Sequence, residues 1–391
     1  MATSFKKKGS RGRAVYPPGT RPSLHNSQLL ISSGVPSMDN VVENFKNSSV
    51  GGGIAIGTIF MVEEDIYSSY ARQLSKYFLA EGVVCGHALF LASAEPEPSN
   101  ILKDLPQQTD EADTKTTVSS EQGQRIPSTD QSMKIAWRYQ NQPKFESSPS
   151  SVKFGHYFDL TRTMDDQKVS SVPIHTFSVN SEMSKCLECS TAEKRSSLQA
   201  GIYSTLISKV KSIIRNGGFT TSDKGLENRS ILRVVLQGVG SALWGEDQHG
   251  PYLSRFLFQL RAVMRSALAV CFITVPTHLF QDTALTRRVE RLCDTVVKLE
   301  SFVGSENETN PVYKHYHGLF HIIRLPRLNS LVSHVPDSFD LAFKLRRKKM
   351  SIEKLHLPPD LSETVNRAQE DSVRGKPGSL SCQSTKSLLD F

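Results

Sequence analysis

A strand–loop–helix that holds a triphosphate carries the pattern G-x-x-x-x-G-K-[ST], whose backbone amides and lysine wrap the phosphates. Residues 51–82, GGGIAIGTIFMVEEDIYSSYARQLSKYFLAEG, have the strand and the helix of such a site but not its loop. Laid on residues 57–72 without gaps, the pattern puts Tyr70 at the lysine and Ala71 at the magnesium-binding hydroxyl. Glu63, Glu64 and Asp65 would repel a triphosphate instead of neutralising it. Side chains such as Tyr67 keep the backbone from the close approach that makes an anion nest. Arg72 is the nearby cation, and it reads as a helix-surface arginine. A second element is also needed, an apolar strand ending in an acid for magnesium. ILRVVLQ ends in Gln237, and a neutral amide is a poor ligand for a hard cation. The expectation is a degenerate phosphate loop, no nucleotide site in cis, no catalytic residues and no cofactor.

Other clusters could act through charge. MKIAWRYQ (133–140) interleaves Trp137 and Tyr139 with Lys134 and Arg138, a mixture that suits unpaired bases and phosphates. Its apolar residues share one parity, as in a half-buried strand, so the aromatics read as core or interface. Lys134 and Arg138 remain as solvent-facing RNA-contact candidates. In KLRRKK (344–349), strand alternation through Phe343 and Leu345 resumes at Met350 and Ile352. That predicts two strands joined by a turn tipped with Arg346, Arg347, Lys348 and Lys349. Phosphate is the natural partner of such a tip, bound without sequence specificity. A solvated turn that serves nuclear import is the equal alternative. Trp244, just after the second element, reads as an interface anchor. Arg261 and Arg265, one turn apart on the next helix, are candidates for arginines offered to a neighbouring subunit. His315, His317 and His321 invite a metal but read as core or interface histidines, and Cys186-x-x-Cys189 lacks a second pair at zinc spacing. No metal site is expected.

The elements that position these groups follow from periodicity. Helices are predicted after the 63–70 loop, closed by Gly82; at 198–214, closed by Gly217; and at 251–267 and 282–294. Apolar strands are predicted at 59–62, 87–92, 231–237, 268–276, 296–302, 318–325 and 340–345. Their alternation predicts an α/β fold, a mostly parallel sheet with helices on both faces. The chain of 391 residues is 38% apolar, a normal core diluted by polar segments. Its net charge of +8 is concentrated in Lys6, Lys7, Lys8, Arg11, Arg13 and Arg21. The expected organisation is a flexible basic tail over 1–27, one domain over 28–365 and a C-terminal tail over 366–391. Within the domain, 42–50 reads as an insertion, and 94–132 and 163–197 as disordered loops. With no secretory signal and no apolar run of about 18 residues, an intracellular, reduced location off the membrane is expected.

The cadence G-V-P-S-M-D, G-G-G-I-A-I-G, then an apolar strand, resembles the start of RecA-type ATPase cores. GTRPSLHNSQLLISSGVPSMDN, GTIFMVEED, KYFLAEGVVCGHALFLASAEPEP, MKIAWRYQ, FGHYFDLTR, SALWGED and HLPPDLSETV closely resemble the RecA-like accessory subunits of the eukaryotic Elongator complex. That resemblance covers residue 19 to the chain's end. It implies a RecA-like domain that assembles with two paralogous subunits into a hetero-hexameric ring. It further implies tRNA binding in support of wobble-uridine (U34) modification, in cytoplasm and nucleus, with the chemistry carried by the catalytic Elongator subcomplex. In the family, the segment around Met38–Val41 runs almost directly into the glycines; here 42–50 intervenes. Two other readings stay open: an active ATPase with an unorthodox nucleotide site, and a nuclear adaptor without RNA contact.

Overall fold

The computed structural model of the protein describes residues 16–23, 28–43, 52–109, 154–188, 198–221, 229–245, 250–326 and 340–355. Lys134, Arg138, Cys189, most of the 42–50 insertion and the 366–391 tail lie outside them. In chain order the strands are β1 (Thr20–Pro22), β2 (Leu29–Ile31), β3 (Ile54–Ala55), β4 (Ile59–Glu63), β5 (Ala88–Ser93), β6 (Pro106–Gln108), β7 (Phe158–Thr163), β8 (Ile174–Ser178), β9 (Leu232–Leu236), β10 (Ala269–Val275), β11 (Thr295–Ser301), β12 (Gly318–Arg324), β13 (Leu341–Leu345) and β14 (Met350–Lys354). The helices are α1 (Pro36–Glu43), α2 (Ser69–Val84), α3 (Pro98–Lys103), α4 (Asp166–Ser170), α5 (Val179–Glu188), α6 (Leu198–Asn216), α7 (Pro251–Arg265) and α8 (Thr283–Leu292).

Runs such as IFMVE, LRVVL and AVCFITV are buried along their whole length, as strands covered on both faces must be. They sit in a nine-stranded sheet of order β14-β13-β12-β11-β4-β10-β9-β5-β8. From β11 to β8 every neighbouring pair is parallel. The β12–β14 edge is antiparallel. Strand parity divides the core. Ile59 and Met61 pack with Leu206, Leu257 and Val289 under α6, α7 and α8. Phe60 and Val62 face the other way, with Met38, Phe78 and Ile101 of α1, α2 and α3. The fold is α/β and RecA-like. Among the described residues, no helix is long and apolar enough to cross a membrane.

Four expectations from composition and glycine position are corrected. Residues 163–197 contain α4, β8 and α5, and β8 pairs with β5 as the last strand of the main sheet. An edge strand gains its order from a ladder on one side, and β8 fully buries only Phe177 in that ladder, so a polar composition hides it. Within 94–132, α3 and β6 form because Ile101, Leu102 and Leu105 reach the core. The supposed basic tail ends in β1, which pairs with β2. Gly82 does not close α2, which continues to Val84. A Cβ there would lie 2.6 Å from Leu89 Cδ2 and 2.8 Å from Arg233 Cδ. Gly82 is therefore an approach glycine: it lets the sheet, and one buried arginine in it, sit against the helix.

That contact reverses a usual sign. Glycine to alanine in a helix ordinarily stabilises by about 0.5–1 kcal/mol. Gly201 in α6 has open space where its Cβ would stand, so G201A should show that gain in urea unfolding. G82A should instead lose about 1–3 kcal/mol through overpacking; a G82A protein as stable as wild type would refute the packing account.

Candidate functional site

In parallel α/β sheets, ligands collect beyond the carboxyl ends of the strands. There, past β4, β9 and β10, lies a cleft of about 420 Å³ lined by Glu64, Tyr67, Ser68, Arg72, Gln237 and Leu279, among others. The loop from β4 into α2 folds back on itself. Ser68 takes a left-handed φ of 54°, and its N–H donates to Asp65 O at 2.8 Å. This turn carries the Asp65 carboxylate onto the start of α2. It accepts hydrogen bonds from the N–H groups of Ser69 (3.1 Å), Tyr70 (3.1 Å) and Ala71 (3.2 Å). Free amides and dipole at a helix N-terminus make an anion site. Here the chain's own carboxylate fills it.

The remaining groups at the cleft are also committed. The Ser68 hydroxyl donates to Glu64, and Arg72 pairs with Glu95 at 2.8 Å. Thr277 Oγ1 donates to Glu63 at 2.9 Å; burial pushes the Glu63 carboxyl up, against that hydrogen bond. Gln237 Nε2 donates to Ser75 Oγ at 2.7 Å. Tyr70 is buried against Phe343, while Tyr67 is 60% exposed. Large apolar side chains ring the mouth: Tyr67, Leu243 and Leu279 are each at least 60% exposed, as is Ile66 next to Tyr67 in the chain.

The three interface candidates all have partners within the chain. Trp244 is 1% exposed, stacks on Tyr203 and donates Nε1–H to Gln237 O at 3.0 Å. It is a core residue of its own chain. Arg261 and Arg265 do not project freely toward a neighbour, since both donate to Asp294 Oδ1, at 2.8 and 2.6 Å. Asp294 Oδ2 in turn accepts Ile59 N–H at 3.0 Å, so the arginines clamp α7 to the amino edge of the sheet, opposite the cleft. The histidines do not converge. His317 Nδ1 accepts Leu345 N–H at 3.2 Å, and His321 pairs with Glu300 at 2.8 Å.

The basic run forms the predicted hairpin. β13 and β14 pair in register, and Arg346 N–H donates to Lys349 O at 2.9 Å to close the turn. Arg347, Lys348 and Lys349 are exposed and Arg346 half-buried.

Periodicity gives no sign of the buried polar network on the α2 face. Its centre is Arg233 of β9, 0% exposed. Its Nε donates to His87 Nδ1 (3.0 Å) and its Nη1 to the carbonyls of Ser32 and Phe78 (both 3.0 Å). Arginine can only donate, so His87 Nδ1 is bare and Nε2–H donates to Pro18 O at 2.8 Å. Burial and the Arg233 charge drive that imidazole down to about 3. Burial pushes Glu81 up, yet hydrogen bonds from His156 and the Arg233 charge outweigh it and hold the carboxyl low. Asp39, which accepts from Ser32 and Ser33, is pushed by burial up to about 6. Donor atoms of Glu81, Cys85 and His156 lie within 4.8 Å of one another, the spacing of a metal site. But burial and the Glu81 charge raise the Cys85 thiol to about 12, whereas metals take the thiolate. With Arg233 alongside, the trio reads as a paired network. Its sequence signal was a lone arginine inside an apolar strand of the kind buried on both faces, where a side chain of either parity is kept from solvent.

Two measurements check this geometry. Removing the Asp65 carboxylate (D65A) should cost about 1–2 kcal/mol in urea unfolding, the value of a cap plus a dipole contact; a neutral result would mean the three amides have other partners. The second concerns pH. The native state keeps His87 neutral down to about pH 3, whereas the unfolded chain binds that proton near its ordinary value. Its contribution is therefore complete above about pH 6.5 and shrinks on acidification. The stability difference between wild type and H87Q should narrow by about 1.4 kcal/mol per unit below pH 6.5. Taking this difference removes the Asp39 term, which has the opposite sign. A pH-independent gap would show that His87 titrates normally.

Comparison with known proteins places the chain. The PAXNEB protein family matches residues 13–391. Elongator complex protein 4 of Danio rerio is 48% identical, covering 94% of this chain and 91% of its own length. The proteins of the same name from Xenopus laevis and Homo sapiens are 45% and 43% identical, over 97% and 100% of this chain and 92% and 94% of theirs. At that identity and coverage, the chain belongs to the PAXNEB family of Elongator complex proteins.

Proposed function

We propose that this chain is a non-catalytic subunit of the Elongator accessory ring. In this reading it assembles with two paralogous RecA-like subunits into a hetero-hexamer and contacts tRNA in support of U34 modification, in cytoplasm and nucleus. The catalytic Elongator subcomplex supplies the chemistry. The observation that carries the reading is Asp65 on the amides of Ser69, Tyr70 and Ala71. A γ- or β-phosphate would have to displace a tethered carboxylate from the helix start and then sit among Glu63 and Glu64, with no lysine in the loop itself. This supports reading the phosphate loop as degenerate in function as well as in sequence. Exposed Ile66, Tyr67, Leu243 and Leu279 around the same cleft suit a covered surface, since clustered large apolar groups mark contact sites. RNA contact falls to the hairpin tip, where Arg346–Lys349 form a fixed turn.

The unorthodox-ATPase reading keeps one supporting feature, Arg72 at the cleft, though Glu95 already neutralises it. The test is co-expression with the two paralogous subunits, followed by native mass and tRNA titration across salt. A hexameric mass is expected, with charge reversal of Arg346, Arg347, Lys348 and Lys349 making the log K–log salt slope shallower by up to about 3. The isolated chain should bind no ATP at millimolar concentration. Tight magnesium-dependent ATP binding would overturn the non-catalytic reading, and an unchanged salt slope would leave a nuclear adaptor without RNA contact.

A further inference from the structure

The basic turn does more than project charge into solvent. Beneath it lies a second cavity of about 420 Å³, inside the usual range for small-ligand sites. Its walls differ in chemistry. Tyr77, Phe158, Val35 and Met350 are buried and give an apolar side, and Tyr157, 44% exposed, lines the same recess. Among the described lining residues, Arg346, Arg347, Lys348 and Lys349 contribute the cations and Asp159 the carboxylate.

The cations are held in place. Met350 N–H donates to Tyr77 Oη at 3.0 Å and Ile352 N–H to Ser37 Oγ at 2.9 Å, which fastens β14 to α2 and α1. Leu160 N–H donates to Lys348 O at 2.8 Å, which ties the turn itself to β7. Asp159 is engaged by the Thr161 hydroxyl and N–H at 2.6 and 2.9 Å, with Lys348 Nζ at 3.8 Å. A rim fixed over an aromatic recess is a different object from a solvated basic loop.

We infer that this recess takes one unpaired nucleotide of an RNA strand, its phosphate on the Arg346–Lys349 rim and its base against Tyr157 in the cavity. The inference deepens the RNA contact proposed above and rests on it. Charge complementarity calls for an anion. An acidic peptide would satisfy the rim but leave a tyrosine-lined recess unfilled. A nucleotide joins an anion to a flat ring, and aromatic stacking accepts any base. Paired RNA keeps its bases inside the helix, so it could use the rim and not the recess. Asn40 and the carboxylate of Asp159 line the same cavity and could meet the polar edge of the base.

The experiment is fluorescence anisotropy on the full chain, with a labelled single strand of about ten nucleotides and a blunt duplex of the same sequence. The single strand should bind more tightly. Tyr157→Ala should weaken it about tenfold, with an unchanged salt slope and unchanged duplex affinity, the loss expected from one stacked base. Tyr157→Phe should stay near wild type, and because the residue is partly exposed, both variants should keep the wild-type circular dichroism. If Tyr157→Ala leaves single-strand affinity intact while R347E/K348E lowers both affinities, the RNA contact stands and the recess is not its site. If neither variant changes binding, the RNA contact itself falls. Competition by a poly-glutamate peptide as effective as that by unlabelled RNA of equal charge would assign the recess to an acidic protein segment and overturn the inference.

Discussion

A guanidinium with no exposed surface is the constraint around which this fold is arranged. Burying a charge costs several kcal/mol unless hydrogen bonds and counter-charge replace water. Arg233 meets that demand by drawing in four separate stretches of chain. It donates to Ser32 ahead of α1, to Phe78 in α2 and to His87 ahead of β5, and through His87 it holds Pro18 ahead of β1. Its flat face lies over the Phe78 ring at 4.5 Å. Its Nη2 remains without a hydrogen-bond partner, so the balance is incomplete and Glu81 must supply charge from nearby. Gly82 follows from the same demand, because any side chain there would meet the arginine stem. The arginine thus converts an otherwise apolar helix–sheet contact into a junction that also fixes the N-terminal strands.

Helix α2 carries this junction to both candidate surfaces. Its first turn presents the amides that Asp65 occupies, so the cleft is closed to anions at the helix start. Tyr70, one position on from that start, packs on Phe343 of β13, and Tyr77 accepts from Met350 of β14. Phe78, Glu81 and Gly82 then reach the Arg233 network. A single helix of 16 residues, about 24 Å long, therefore frames the cleft, the basic hairpin and the buried charge.

How much of this was legible in the sequence depends on which interaction made each element. Strands buried on both faces announce themselves, because every residue must be apolar; β4, β9 and β10 were readable for that reason. The hairpin was readable because alternation stops and resumes across four cations. β8 was not, since its order comes from the ladder with β5 and not from its own side chains. Acids at 63–65 could be read as hostile to phosphate, but not as a cap: a helix N-cap signal sits next to the helix, and Asp65 reaches it across a left-handed Ser68. For Trp244, Arg261 and Arg265 the sequence gives positions but not partners; within the chain the tryptophan N–H reaches Gln237 O and the two arginines reach Asp294.

The same logic separates the two cavities, which are alike in volume and opposite in character. At the cleft, the polar groups satisfy one another: Asp65 with amides, Ser68 with Glu64, Arg72 with Glu95, Gln237 with Ser75. Most of the polar groups named there are committed to one another, and Tyr67, Leu243 and Leu279 expose apolar surface beside them. Under the hairpin, hydrogen bonds fix the backbone, through Lys348 O, Met350 N–H and Ile352 N–H. The cationic heads beyond that backbone outnumber the single nearby carboxylate. A surface whose frame is held by hydrogen bonds loses little entropy when an anion arrives. A surface that has already balanced its charges gains little from one. The geometry thus differs from that of an open phosphate loop: the helix start is closed by its own aspartate, and a cluster of positive charge sits at the far edge of the sheet.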